Sequence, residues 1–171
     1  MSHTTVRAFE PDDEEWAERL VNADLGGRMQ ARRGELVDAL GCPGLVAERA
    51  GSRVGILTYR LGDQDAEIVF VEATTKHSGI GTALVDAFVA MAAGLRVWLV
   101  TTNDNLDALR FYQRRGFLIS VVRTGAVTEA RRMLKPQLPR TGSFGIPIRD
   151  EIELEYVGGQ NLIMGSGASR S

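Results

Sequence analysis

Two glycines one residue apart, Gly79 and Gly81, stand where a strand-like run ends and a helix-like run begins, with Lys76 just ahead of them. The first four amides of a helix lack internal partners, and the helix dipole adds positive character at the same end. Glycine lets a ligand approach the main chain closely, so the turn KHSGIG at 76–81 suits phosphate, held by backbone N–H groups with a cation nearby. A plain tight turn explains the same glycines equally well. A second turn-and-helix segment, NLDALRFYQRRGF at 105–117, follows the buried-looking run LRVWLVT at 95–101. In that run Val97 and Leu99 alternate with Trp98 and Val100, so both faces are apolar, as in a central parallel strand.

Two nucleotide motifs can be compared with the glycine turn. The Walker pattern fails, because no Gly-Lys-Ser/Thr follows the required spacing. The dinucleotide pattern needs a third small residue where this chain has Leu84, although Asp104 after the next strand could imitate the ribose-binding acid. That fold also places its glycine turn after the first strand, whereas here three or four strands precede it. An NAD-binding enzyme is therefore the weaker alternative. Only His3, His77 and Cys42 could join carboxylates at a metal, and they are too scattered to form a ligand set, so no metal is expected. Cys42 sits in LGCPG and reads as a loop or packing thiol.

The 171 residues are 44% hydrophobic and 25% charged, proportions of an ordinary globular domain that needs one core. A net charge of −2 offers no basic excess for nucleic acid, and no apolar run is long enough to span a bilayer. The opening MSHTTVRAFEPDDEEW lacks an apolar signal region, and a lone cysteine cannot make an intramolecular disulfide, which points to the cytoplasm. A homodimer stays open.

Residues 4–9 read as a strand, followed by a helix capped by Asp12 or Asp13 with Trp16, Leu20 and Val21 on its apolar stripe. A short helix is expected over 34–40. Strands over 45–49, 53–61 and 66–73, joined by short turns, form an antiparallel meander. The pattern then becomes helix 79–93 with Ile80, Leu84, Phe88 and Met91 on one stripe, strand 95–101 and helix 104–115, a right-handed βαβα unit appended to the meander, after which 117–125 returns as a strand. The Pro- and Gly-rich stretch 126–147 is expected to be a functional or flexible loop. A last strand over 148–156 places Ile148, Asp150, Ile152, Leu154 and Tyr156 on a buried face, and Arg149, Glu151, Glu153 and Glu155 on a solvated one. Residues 1–157 thus make a single domain, and the Gly/Ser-rich 158–171 a poorly ordered tail.

At this point the chain resembles the GNAT superfamily of acetyl-CoA-dependent N-acetyltransferases. The family's Gln/Arg-x-x-Gly-x-Gly/Ala is matched by Lys76, Gly79 and Gly81. Its Asn-x-x-Ala-x-x-Phe/Leu-Tyr-x-x-x-Gly-Phe is matched by Asn105, Ala108, Phe111, Tyr112, Gly116 and Phe117. The close likeness covers 66–117, and the order of elements extends it over 4–156. It implies an α/β (α+β) fold: a mixed, mostly antiparallel sheet of six to seven strands, with a central parallel, splayed strand pair and helices on both faces. It also implies acetyl-CoA as co-substrate. Its pantetheine arm would pair with backbone near Val71 and Ala73 and meet Asn105, and its pyrophosphate would rest on the N–H groups of His77, Ser78, Gly79, Ile80, Gly81 and Thr82. Asn105 is equally readable as a helix cap.

By the same resemblance Tyr112 sits near the sulfur as general acid, and an amide of Val71 or Glu72, freed by the splay, binds the oxyanion. Without the motif Tyr112 reads as core. Two carboxylates are candidates for the base, Glu67 and Glu72, which strand alternation puts on opposite faces unless a bulge intervenes. Glu72 is assigned to substrate contact and Glu67 to proton removal through water, although either reads as simply solvated. Lysine at 76, Ala73 where proline is common and the long 126–147 stretch depart from the family pattern. That stretch carries Arg131, Arg132, Lys135 and Arg140 ahead of Asp150, Glu151 and Glu153, which suggests a polar acceptor whose amine is drawn to carboxylates. The expected activity is acetyl transfer to a primary amine of a small molecule or peptide. A non-catalytic acyl-CoA-binding regulatory module on the same fold is the alternative.

Overall fold

The apolar run 95–101 becomes a strand enclosed on both sides, and the sheet is organised around it. The computed structural model describes residues 3–24 and 26–158. In chain order the elements are β1 (Thr4–Ala8), α1 (Glu14–Asn22), β2 (Met29–Arg32), β3 (Glu35–Asp38), β4 (Gly44–Arg49), β5 (Ser52–Leu61), β6 (Asp65–Ala73), α2 (Ile80–Met91), β7 (Arg96–Thr102), α3 (Leu106–Gln113), β8 (Phe117–Arg123), α4 (Ala126–Met133) and β9 (Glu151–Tyr156). Seven strands form one sheet in the order β1-β4-β5-β6-β7-β9-β8, and β2 and β3 form a separate hairpin. Neighbours in the large sheet run antiparallel except β6 and β7, which are parallel. This is the mixed sheet that the sequence implied. Its strand order is not that of a dinucleotide-binding fold, whose sheet is mostly parallel.

Each face of the sheet has its own core. Leu84, Val85 and Phe88 of α2, with Tyr112 of α3, pack on Leu57, Ile68, Leu99 and Leu154. Ala17 and Val21 of α1 pack on Ile56, Val69 and Phe70 from the opposite side, with Val37 and Leu40 completing that cluster. Cys42 packs against the second cluster, and burial raises its thiol pKa, which fits a packing role. Met91, placed on the buried stripe of α2 by periodicity, is exposed at the helix end.

Three expectations are corrected. Residues 34–40 are not a helix: β2 and β3 turn through Arg33 and Gly34, whose positive φ values of 48° and 81° give the two-residue turn that matches the twist of paired strands. The stretch 126–147 is not a loop throughout, because Gly125, at φ 76°, starts α4. Beyond α4, Arg131 donates to the carbonyls of Leu138, Pro139 and Ile148 and so shapes the following strap. The outer face of β9, which begins at 151 rather than 148, is not solvated: Glu151 and Glu153 are 5% and 3% exposed. Their charges are met by guanidinium groups, Arg123 bonding both and Arg96 reaching Glu153 at 2.6 Å.

The start of α1 also differs in detail. Asp13 makes no side-chain cap for α1. Its buried carboxylate accepts from Arg7 at 2.7 Å, Arg53 at 2.6 Å and the Glu10 amide at 2.8 Å, joining β1 and β5 to the helix entry. The Arg7 hydrogen bond holds its pKa well below the usual carboxylate range, against the opposing effect of burial. A depressed carboxylate pKa stabilises the fold fully above the unfolded value of about 3.9, and that stability is lost as pH falls toward the folded value. Asp13→Asn is therefore expected to cost on the order of 3 kcal/mol at neutral pH, with the deficit shrinking below about pH 4 in urea melts.

Candidate functional site

Strands β6 and β7 pair only from Asp65–Arg96 to Ile68–Leu99, and beyond that point they part. The cause is visible in β6. Thr58 of β5 faces Phe70 and Tyr59 faces Ile68, so Val69 is a surplus residue in a bulge. Val69 and Phe70 consequently both face the α1 side, whereas Ile68 and Val71 belong to the α2 side. Alternation resumes after the bulge, and Glu67 and Glu72 end on the same face.

The edge of β6 that borders the gap can be derived from one hydrogen bond. The Thr74 amide donates to the Val54 carbonyl at 2.9 Å, so by the two-residue period the Glu72 amide also points toward β5. Val71 and Ala73 then present their amides to the opening between β6 and β7. Of the two oxyanion donors considered from sequence, Val71 and not Glu72 faces the gap.

A cleft of about 820 Å³ occupies this opening, lined on one side by Ile68–Glu72 and Lys76, and on another by Leu99–Thr102, Asn105 and Tyr112. Of the turn into α2, Lys76 lies in this lining. His77 and Gly79 have φ of 58° and 80°, and the turn is held by Arg49 on the Ser78 carbonyl at 3.0 Å and by Ser78 Oγ on the Thr75 carbonyl at 2.6 Å. The helix start has no side-chain cap, and its Gly79 carbonyl accepts from the Ala83 amide. Amides 80–82 therefore precede the first intrahelical donor of this turn and are available to an anion. The two glycines serve different needs. A Cβ at Gly79 would meet open space but would be strained at that φ, whereas a Cβ at Gly81 would lie 3.2 Å from the Phe111 ring, so Gly81 lets α3 come close. The Ile80 side chain is core, and Thr82 Oγ1 accepts from Arg115.

Asn105 caps α3, its Oδ1 accepting from the Ala108 amide at 3.2 Å, while its side chain still lines the cleft. Tyr112 is 8% exposed, wedged edge-on between Phe111 and Phe117 at centroid distances of 5.0 and 5.3 Å. Burial raises its pKa, so the phenol keeps its proton through the neutral range.

The two glutamates share a face but differ in surroundings. Glu67 is 2% exposed, with one oxygen accepting from Arg32 at 2.6 Å and the other from Arg60 at 2.8 Å. Arg32 also donates to the Ile68 and Val69 carbonyls, so its guanidinium holds the bulge backbone. Glu72 is half-buried with its carboxylate 3.3 Å from the Ala73 amide, and burial raises its pKa, the effect outweighing that hydrogen bond and Lys76.

The hairpin supplies a wall that sequence reasoning did not foresee, and the 126–147 stretch expected to bear on the acceptor supplies another, built on α4. Arg32 and Arg33 come from the hairpin, with the Arg33 amide fixed by Glu151 at 2.9 Å and its guanidinium 4.8 Å above the Trp98 ring. Val127, Ala130 and Lys135 come from α4 and the residues after it. The available signal for the hairpin was Gly34 between two four-residue runs; arginine in the preceding turn position hid it. The carboxylates at and just before β9 that were expected to attract an amine are instead engaged: Asp150 by Arg149 and the Gly125 amide, and Glu151 and Glu153 by arginines.

A splayed parallel pair beside an open helix start is the architecture of an acyltransferase fold. Residues 6–117 match the model of the acetyltransferase (GNAT) family, and the chain belongs to that family. It is 42% identical over 106 residues to YdhI, an uncharacterized protein of Bacillus subtilis (strain 168); the match spans 60% of this chain and 66% of that protein's length. A GNAT family acetyltransferase from Elizabethkingia anophelis with acetyl-CoA bound has the same fold, with a TM-score of 0.67 at 18% identity, covering 90% of this chain and 97% of the other. So does Arabidopsis thaliana Naa50 in complex with the bisubstrate analogue CoA-Ac-MVNAL, with a TM-score of 0.62 at 17% identity over 90% and 98% of the two chains. No described helix is long and apolar enough to cross a membrane.

Because Arg32 both neutralises Glu67 and holds the bulge, Arg32→Met is expected to destabilise the protein by about 3 kcal/mol. Combining it with Glu67→Gln should cost less than the sum of the two single changes, a coupling readable in a double-mutant cycle of denaturant melts.

Proposed function

We propose that residues 1–157 form an N-acetyltransferase that moves an acetyl group directly from acetyl-CoA to a primary amine of a small molecule or peptide. The observation that carries this reading is the gap beyond Ile68 and Leu99, with the Val71 and Ala73 amides on one edge, Lys76 and Tyr112 in its lining, and the uncapped start of α2 following Lys76 in the chain. The pantetheine arm of acetyl-CoA carries amides that can pair with an open strand edge, and its pyrophosphate suits a helix N-terminus. Val71, Ala73 and Asn105 are assigned to the arm, and the amides of residues 77–82, with Lys76, to the phosphates.

Glu72 takes a proton from the acceptor ammonium: it lines the cleft without a guanidinium partner, whereas Glu151 is held by Arg123, Asp104 by Thr102 and the Ser143 amide, and Asp24 by the Gly26 amide. The freed nitrogen attacks the thioester carbonyl, and the Val71 amide donates to the resulting oxyanion. As the C–S bond breaks, Tyr112 gives its proton to the departing sulfur, and the proton shed by the nitrogen, acidic once the C–N bond has formed, restores the phenol through solvent. A phenol made less acidic by burial can still do so, since the same burial raises the basicity of the thiolate it meets. Glu67, expected from sequence to remove the proton through water, is instead assigned a positioning role, because both of its buried oxygens are bonded by arginines and Arg32 in turn keeps the bulge, and hence Glu72, in place.

A free-thiol release assay with acetyl-CoA and a panel of amines tests the reading, and acetyl-CoA binding without thiol release from any amine would identify a binding module instead. Glu72→Gln is expected to lower kcat/KM by about a hundredfold at neutral pH. The wild-type rate should fall on acidification at a pH above the ordinary glutamate value of about 4.3, because the base must be ionised and its pKa is raised. That acidic limb should vanish in the variant. Tyr112→Phe should lower kcat by about a hundredfold while leaving acetyl-CoA affinity nearly unchanged, and full activity across pH would remove Tyr112 from its role.

A further inference from the structure

Lys135 follows α4, lines the cleft and is only 8% exposed. Its ammonium donates to the carbonyls of Gly26 and Met29, the latter at 2.6 Å, and so reaches across to the segment between α1 and β2. Buried ammonium groups are ordinarily paired with carboxylates. Here the carboxylate acting on Lys135 is that of exposed Asp24, which forms no ion pair with it among the described residues and instead accepts from the Gly26 amide. The other buried cations of the cleft are compensated: Arg32 by Glu67, and Arg123, less buried, by Glu151 and Glu153. Burial lowers the Lys135 pKa, as expected of a charge short of a counterion. An ammonium has three N–H donors, and two are bound to carbonyls. Arg32 adds a second unfilled donor to the same lining, its buried Nε having no acceptor.

We propose that the acceptor is an amino acid-like zwitterion, whose carboxylate is received by the third N–H of Lys135 while its amine faces Glu72. The inference rests on the N-acetyltransferase reading and adds the chemical class of the acceptor. One wall of the cleft then carries the group that deprotonates the amine, and the α4 wall the group that holds the anion. An anion there supplies the charge that Lys135 lacks, and an acceptor amide of equal size leaves the ammonium uncompensated. Discrimination of this kind comes from leaving a buried charge unpaired and is large.

The test uses matched pairs: glycine, β-alanine, 4-aminobutyrate, 6-aminohexanoate, leucine and phenylalanine, each against its primary amide. Thiol release from acetyl-CoA gives kcat and KM, and calorimetry on the CoA-loaded protein gives binding. At least one carboxylate should be preferred to its amide by about tenfold or more. Lys135→Met should remove that preference mainly through KM, Lys135→Arg should restore most of it, and CoA affinity should be unchanged in both, which checks that the cleft still forms. A wild type that neither binds nor acetylates any carboxylate better than its amide overturns the inference, as does a preference that survives Lys135→Met. Amides acetylated as well as their carboxylates would leave the N-acetyltransferase reading standing while this inference fell. Absence of thiol release with every one of these pairs and with the wider panel of amines and peptides would remove both.

Discussion

The grip of Arg32 on the bulge in β6 is the interaction on which the remaining geometry depends. One guanidinium binds Glu67 and the carbonyls of Ile68 and Val69, at the place where β6 stops pairing with β7. Backbone groups leaving a ladder need other partners, and here a buried cation from a separate hairpin supplies them. Because Val69 is an extra residue, every side chain after it changes face relative to a regular strand. The same residue that opens the sheet therefore also turns Glu72 toward the side occupied by α1 and the hairpin. Separation of the strands and placement of the carboxylate are one structural event.

The cleft draws its two ends from different parts of the chain. Val71, Lys76, Asn105 and Tyr112 all lie within 71–112. The opposite lining comes from residues 20–34 and from those after 123. The match to the GNAT family model ends at 117, before α4 and the strap that follows it. The matched stretch thus covers the proposed cofactor end and the hairpin wall, while the wall formed by α4 and the strap lies outside it. Arg131 and Asp150 are committed to that outer wall, one gathering the strap carbonyls and the other fixing the start of α4.

Much of this was legible from residue order. Alternation in 95–101 implied a strand enclosed on both faces, and the short turn expected between strands 45–49 and 53–61 is present at Ala50 and Gly51, with φ of 51° and 75°. The hairpin at Arg33-Gly34 has the same backbone signs yet was read as helix, because its strands are four residues long and barely apolar. On β9 the alternation of apolar and acidic residues was correctly seen, but its meaning was reversed. Charges on one face usually indicate water, whereas here arginines distant in sequence, Arg96 and Arg123, cover that face. Pairing across 28 to 57 positions has no local signature. The bulge was equally invisible, since nothing in AEIVFVEA identifies which residue is surplus. Lys135 could be noted as a charge, but its burial depends on Gly26 and Met29, more than a hundred positions away.

The reach of Arg32 also bears on how the chain acquires its working form. Its bonds to β6 span 35 to 37 positions and join a hairpin outside the main sheet to the middle of that sheet. Contacts between distant positions require loop closure before they contribute, and they form slowly compared with helices and tight turns. Until the hairpin docks, β6 has no cation to satisfy its carbonyls, and continued zippering onto β7 is the competing way to do so. The hairpin therefore acts as a wedge set during assembly, and a nascent chain that closed the β6–β7 seam first would be compact, well hydrogen-bonded and unable to admit a ligand.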